Sequence, residues 1–204
     1  CLQGLRKFGV NDTCPECRAP LPRGPAATFD AALRLVVAAE GTVDARLQRR
    51  RYAEAVVLVR QALAEDSSQA DYHHLLGYAL DRGEADVGGA ETAYRAAVRI
   101  NSQHANALFH LGHLLKNKRK DIDGAEEAYR AAIAADPKQA GALCNLGVLL
   151  QIERADIDGA EKAYRAAIAA DPKHANALCD LGNLLRGNRA DIDGAESAYR
   201  ASIA

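Results

Sequence analysis

The segment from Asp121 to Ala135 recurs from Asp156 to Ala170 with one change, Glu127 against Lys162. It returns from Asp191, and a looser copy begins at Asp86, each 35 residues from the next. A second segment has the same period: His104 to Gly112 matches His174 to Gly182, and Tyr72 to Leu80 is a more distant copy. This period constrains the fold more than any other feature. A unit so short cannot bury a hydrophobic face alone and must stack on its neighbours. Composition agrees, because 43 of the 204 residues are Ala, small enough for helices to approach closely.

Two helices are predicted in each unit. Asp136 and Pro137 suit a helix start, with Asp as N-cap and Pro at the first helical position. Leu143, Leu146, Leu149 and Leu150 then mark one apolar face at helical spacing. The stretch from Asn117 to Asp121 breaks the pattern. Asp123, with Glu126 three residues later, fits a capping box for the second helix, whose buried face reads as Ala125, Tyr129, Ala132 and Ile133.

These residues resemble the tetratricopeptide repeat. That family places Leu-Gly late in the first helix, then Ala, an aromatic, Ala and Pro at spacings of 4, 3 and 5; Leu146-Gly147 is followed here by Ala160, Tyr164, Ala167 and Pro172. Leu111-Gly112 leads likewise to Ala125, Tyr129, Ala132 and Pro137. The family unit is usually one residue shorter, and the extra residue falls between the Gly and the first Ala, in the turn. The resemblance implies an all-α, right-handed α-solenoid of 35-residue helix-turn-helix repeats over residues 51–204. Residues 26–50 read as a capping helix and linker. Thr28 to Glu40 sets Phe29, Leu33, Val36 and Val37 at helical spacing, and Gly41 with Arg49, Arg50 and Arg51 marks the transition to a helix from Tyr52 to Leu63.

Residues 1–25 differ in kind, with Cys1, Cys14, Cys17 and four prolines. Cys14-Pro-Glu-Cys17 has three readings. A redox pair would need a helix directly after Cys17, which Pro20, Pro22 and Pro25 oppose. A structural disulfide would need an oxidising compartment, which the repeat context does not favour. Half of a zinc knuckle suits the two-residue spacer. The pattern Cys1-Leu-x-x-Leu5, then Cys14-Pro-x-Cys17-Arg-x-Pro-Leu21, resembles the last third of a RING finger. By that resemblance Cys1, Cys14 and Cys17 are zinc ligands six, seven and eight of a cross-braced pair of sites. Arg18, Pro15 and Pro20 fall where the family contacts a ubiquitin-conjugating enzyme. Five ligands are missing, so both zinc sites are incomplete. Zinc is expected only in an intact parent, with none tightly bound here. The absence of any Met, with Cys1 in first place and a helical pattern still running at Ala204, makes the chain read as a piece of a longer protein.

In stacked repeats the first helices line a concave groove, and side chains at spacings of 3, 4 and 3 touch a ligand together. Projection gives His74 and Tyr78, then Asn106, Phe109, His113 and Lys116. Cys144 and Gln151 follow, then Asn176, Cys179, Asn183 and Arg186. A Lys/Asn clamp of the kind this family uses on carboxyl termini fails, because Cys179 stands where the Lys four before Asn183 should be. Cys144 and Cys179 lie one repeat apart, about 10 Å for neighbouring helices, too far for a disulfide. His110 and His113 lack acidic or Cys partners for a metal. Asp121-Ile-Asp-Gly124 lacks the flanking acids of a calcium loop, Arg119 and Arg130 standing in their places.

The net charge of −1 gives no global argument for nucleic acid, and no run of apolar residues is long enough to cross a bilayer. The expected function is a protein–protein interaction scaffold binding a peptide or partner protein in the groove. The alternative is the substrate-recruiting part of a RING-type ubiquitin ligase, with a ubiquitin-conjugating enzyme as second partner. The chain itself offers no catalytic site, so enzymatic activity would belong to the parent. Free cysteines and a zinc-type motif favour an intracellular place, cytoplasmic or nuclear.

Overall fold

The computed structural model describes residues 24–84 and 86–203. Every regular element among them is helical. Unit 1 ends at Ile100 and holds α1 (Pro25–Glu40), α2 (Ala45–Glu65), α3 (Ala70–Ala79) and α4 (Val87–Ile100). Unit 2 begins at Asn101 and holds α5 (Ala105–Leu114), α6 (Ile122–Ala135), α7 (Ala140–Glu153), α8 (Ile157–Ala170), α9 (Ala175–Leu184) and α10 (Ile192–Ser202). In unit 1, α1 pairs with α2, α3 pairs with α4, and α2 packs on α3. In unit 2 the hairpins α5–α6, α7–α8 and α9–α10 stack through α6 on α7 and α8 on α9, with α7 also touching α5 and α9.

The expected core is in place. Leu143, Leu146, Leu149 and Leu150 are buried, as are Ala125, Ala128, Tyr129 and Ala132; Ile133 is only half-buried. One residue in each hairpin shows why the repeat closes so tightly. A Cβ on Gly147 would lie 2.6 Å from Tyr164 Cε1, so the absence of a side chain lets the ring lie flat against the first helix. Gly112 and Tyr129 stand in the same relation, with the nearest ring atoms at 2.9 Å.

Helix ends depart from expectation in three places. The second helices are capped by Asp121, Asp156 and Asp191, whose Oδ1 atoms accept from the backbone N–H of Gly124, Gly159 and Gly194 at 3.0, 2.9 and 2.9 Å. Asp123 is therefore not the cap. It lies inside the first turn of α6, where its carboxylate pairs with Arg154. Gly124 explains the shift, since a Cβ there would collide with the Asp121 carboxylate. Arg154 also reaches Glu126 at 2.9 Å, and that hydrogen bond holds the Glu126 carboxyl below the usual range.

Asp136 does not start the next helix either. Its N–H closes α6 on Ala132 O at 2.8 Å, its Oδ1 accepts from Lys138 N at 3.0 Å, and α7 begins only at Ala140. The equivalent starts of α5 and α9 are capped by imidazoles: His104 Nδ1 and His174 Nδ1 accept from Ala107 N and Ala177 N at 3.3 and 3.2 Å.

Helix α2 starts seven residues before Tyr52 and carries Arg49, Arg50 and Arg51 within it, so this basic run is helix surface rather than a transition. Helix α1 buries Ala32, Val36 and Ala39, while Leu33 and Val37 are 41% and 62% exposed. The buried side of α1 is thus narrow, two Ala residues and Val36, and does not include the other aliphatics of the expected face.

The turns inside the unit 2 hairpins share one geometry. Helices α5 and α9 widen in their last turn, Leu115–Arg119 and Leu185–Arg189. The chain then reverses through Lys120, Ala155 or Ala190, with φ of 60°, 53° and 55°. The next N–H, of Asp121, Asp156 or Asp191, returns six residues to Leu115 O, Leu150 O or Leu185 O at 3.0, 2.9 and 3.0 Å. A left-handed helix end normally closes over five residues; here the loop closes over six.

Candidate functional site

In unit 2 the first helices α5, α7 and α9 lie side by side, and hydrogen bonds between repeats join their polar residues into one face. Gln139 Nε2 donates to Asn106 Oδ1 at 2.7 Å, the Cys144 thiol to Asp180 Oδ2 at 3.7 Å, and Gln151 Nε2 to Asn188 Oδ1 at 3.3 Å. The tyrosines of the second helices reach the same face from beneath: Tyr164 OH donates to Gln151 Oε1 at 2.9 Å and Tyr199 OH to Asn183 Oδ1 at 2.8 Å.

Most of the expected groove residues fall on this face. Asn106, Asn176, Asn183 and Arg186 are exposed, and His113, Lys116, Gln151 and Cys179 are half-buried. The Arg186 guanidinium lies 6.0 Å from the Tyr199 ring centroid. Phe109 is half-buried, its ring centroid 4.9 Å from that of His110 and 6.4 Å from that of Tyr129. A Cβ on Gly141 would be 3.3 Å from the Phe109 ring, so Phe109 is as much a spacer between α5 and α7 as a contact surface. Cys144 is buried and forms floor rather than open face.

In unit 1, His74 and Tyr78 are half-buried on α3. The His74 ring is 6.0 Å from Tyr94. The Tyr78 hydroxyl donates to Glu40 at the end of α1, Arg82 stacks 5.4 Å from its ring, and Tyr52 meets it edge-on at 6.5 Å. Burial, then the bond to Glu40, pushes the Tyr78 phenol above its ordinary range. These contacts tie Tyr78 to its own unit.

Sequence projection misses Asp180. Steps of 3, 4 and 3 from Asn176 select Cys179 and pass over its neighbour, yet Asp180 is the residue that bonds across to Cys144. The available signal was a carboxylate where the earlier copies carry His110 and Asn145. Asp180 is half-buried, and burial raises its carboxyl above the ordinary value.

Cys144 and Cys179 are free thiols. Burial, followed by the negative charge of Asp180, pushes the Cys144 thiol up to about 12. A nucleophilic cysteine needs the opposite setting. Iodoacetamide at pH 8 should therefore label Cys179 at least tenfold faster than Cys144, read by peptide mass spectrometry. Asp180→Asn should speed Cys144 labelling by removing one of the causes of its shift. Equal rates for the two cysteines would show that the Cys144 thiol is not shielded.

Among the described residues no group of three or more His, Cys, Asp or Glu is gathered to hold a metal ion. No described helix is long and apolar enough to cross a membrane. Cys1, Cys14, Cys17, Pro15, Arg18 and Pro20, on which the zinc and ubiquitin-conjugating-enzyme readings rest, lie outside the described residues. A separate open concavity of about 440 Å³ lies between α8 and α10, floored by Leu178, Leu181 and Leu185 and edged by Arg165 and Ser197.

The tetratricopeptide repeat family model matches residues 41–105, 83–140 and 147–204. No match was found among curated proteins. Similar solved structures include PilF of Pseudomonas aeruginosa, at 22% identity and a TM-score of 0.73, covering 89% of this chain and 78% of that one. YrrB, described as a TPR protein with an unusual peptide-binding site, is 20% identical with a TM-score of 0.62, covering 87% and 84%. MamA is 20% identical with a TM-score of 0.63, covering 75% and 87%. At these identities the likeness is one of fold.

Proposed function

The chain belongs to the tetratricopeptide repeat family, and from that premise we propose that it is a protein–protein interaction scaffold that binds a peptide segment of a partner along the α5–α7–α9 face. The observation carrying this reading is the seam of bonds between repeats, which makes three separate helices one continuous polar surface. The pattern of variation between copies agrees. The second helices are nearly identical from repeat to repeat, and their repeated Ala and Tyr residues are spent on packing. The first helices differ at the positions that reach this face: Phe109, Cys144 and Cys179 in one row, His113, Val148 and Asn183 in another. YrrB, of the same fold, is a peptide binder by its own description.

Panning a displayed random 12-residue peptide library on the chain tests this. For an enriched peptide, Asn176→Ala combined with Arg186→Ala should raise Kd at least tenfold, a loss of about 1.4 kcal/mol. Arg165→Ala with Ser197→Ala, on the α8–α10 concavity, should leave it unchanged. The reverse result would move the site to that concavity.

A further inference from the structure

Unit 2 starts its helices in two chemically different ways. The second helices α6, α8 and α10 are capped by the carboxylates of Asp121, Asp156 and Asp191. The outer first helices α5 and α9 are capped by imidazoles instead. The N–H of Ala107 donates to His104 Nδ1 at 3.3 Å, and that of Ala177 to His174 Nδ1 at 3.2 Å. The middle first helix, α7, has Gln139 at the same place, and that side chain makes no cap. Both imidazoles are half-buried, and Ala107 and Ala177 are 0% exposed, so water is poorly placed to replace the ring.

An imidazole accepts through Nδ1 only while that nitrogen carries no proton. Once protonated, it confronts the amide donor with a second donor and brings positive charge to the positive end of a helix. Imidazole is the side chain that changes charge between pH 5 and 8, a range over which a carboxylate stays ionised. The acid step that removes the caps of α5 and α9 therefore leaves those of the second helices in place.

Other charges stand around the caps. Asp136 and Lys138 lie between α6 and α7, Asp171 and Lys173 between α8 and α9, and in each pair the Asp carboxylate accepts the Lys backbone N–H. Arg200, near the end of α10, is held by Glu196. Asp180, further along α9, attracts a positive charge on His174, and so draws the protonated ring away from its capping role. His110 and His113 are further imidazoles on α5.

We infer that His104 and His174 make the two outer first helices of the face acid-sensitive, so that unit 2 loosens Asn106 and Asn176, each two positions past its cap, at mildly acid pH. Both Asn residues are exposed on the face, and Asn106 also accepts from Gln139 of the next repeat. The device stands on the caps alone. Only its consequence for a bound peptide rests on the peptide-binding reading above.

Amide hydrogen exchange of the whole chain, followed by NMR and corrected for the intrinsic effect of pH, reads the caps directly. Losing a cap changes local opening by at least about threefold. Between pH 7.5 and 5.5 the protection of Ala107 and Ala177 should fall by that factor, while that of Gly124 and Gly159 stays constant. His104→Asn with His174→Asn supplies caps that accept without titrating and should abolish the fall. If that variant does not fold, the comparison of Ala107 with Gly124 in the unaltered chain still decides. Equal changes at imidazole-capped and carboxylate-capped amides, or none at Ala107 and Ala177, overturn the inference. For binding, a library peptide without His, Asp or Glu should lose at least fivefold in affinity over the same range by fluorescence anisotropy. The double Asn variant should lose less than twofold. A loss that persists there but vanishes in His110→Asn with His113→Asn assigns the effect to those rings and overturns the inference for binding. If the caps titrate as expected and no peptide binds, the peptide-binding reading falls and the caps stand.

Discussion

Tyr164→Ala should lower the stability of unit 2 by about 3–5 kcal/mol, the largest single effect expected in the molecule. The ring is 1% exposed, lies against Gly147 in its own hairpin, and sends its hydroxyl to Gln151 at the face above. Deleting it removes a large apolar body at the junction of α7 and α8 and leaves a cavity that two rigid helices cannot collapse. For a unit of about 100 residues this corresponds to a fall in melting temperature on the order of 15 °C or more. Tyr164→Phe keeps the ring and loses one hydrogen bond, so it should cost only about 1 kcal/mol. Thermal melts by circular dichroism separate the two. Equal falls would assign the stabilisation to the hydroxyl rather than the ring.

The second large effect comes from the other side of the same contact. Gly147→Ala adds one methyl group to a helix interior, a change that by intrinsic propensity alone stabilises by about 1 kcal/mol. Here the new Cβ would stand 2.6 and 2.7 Å from two atoms of the Tyr164 ring. Pushing a buried ring out of place costs about 1–3 kcal/mol or more, so the clash wins and the net change is destabilising. Gly187→Ala is the control, because a Cβ there meets nothing within 4 Å. Its effect should be neutral or slightly stabilising. Urea midpoints that move in the same direction for both variants would contradict the close packing of Tyr164 on Gly147.

These contacts explain what was readable in the sequence. The Gly and Tyr recur with the 35-residue period because the fit between them is needed in every hairpin, so the core appears as repetition even without coordinates. The same holds for the turn, where Asp121 and Gly124 are repeated together because the carboxylate occupies the space a side chain would need. Asp123 with Glu126 fits the capping-box spacing, but Gly124 leaves room for the Asp121 carboxylate, which takes the cap. Helix α7 begins later than Asp136-Pro137 suggests because that Asp spends its carboxylate and N–H on closing the turn.

The face was legible only in outline. Helical periodicity identifies which residues point out of a first helix, and the exposure of Asn176, Asn183 and Arg186 follows from it. It cannot show how far one helix is offset against the next. The bond from Cys144 to Asp180 spans 36 residues, one more than the period, and that offset hid the carboxylate. Phe109 looked like a contact residue because its role as spacer depends on Gly141 in the following repeat.

The aspartate inside each hairpin serves two helices at once. Asp156 gives its N–H to the end of α7 and its carboxylate to the start of α8, and Asp121 and Asp191 do the same for their hairpins. A hairpin thus carries the means of satisfying its own internal helix ends. Copying 35 residues copies the fastening along with the helices and leaves no new backbone group stranded at the turn. An array built this way can gain or lose a whole repeat by duplication or deletion of DNA in a single event. Its length, and with it the extent of the face its first helices form, is free to change faster than the contacts that hold each repeat together.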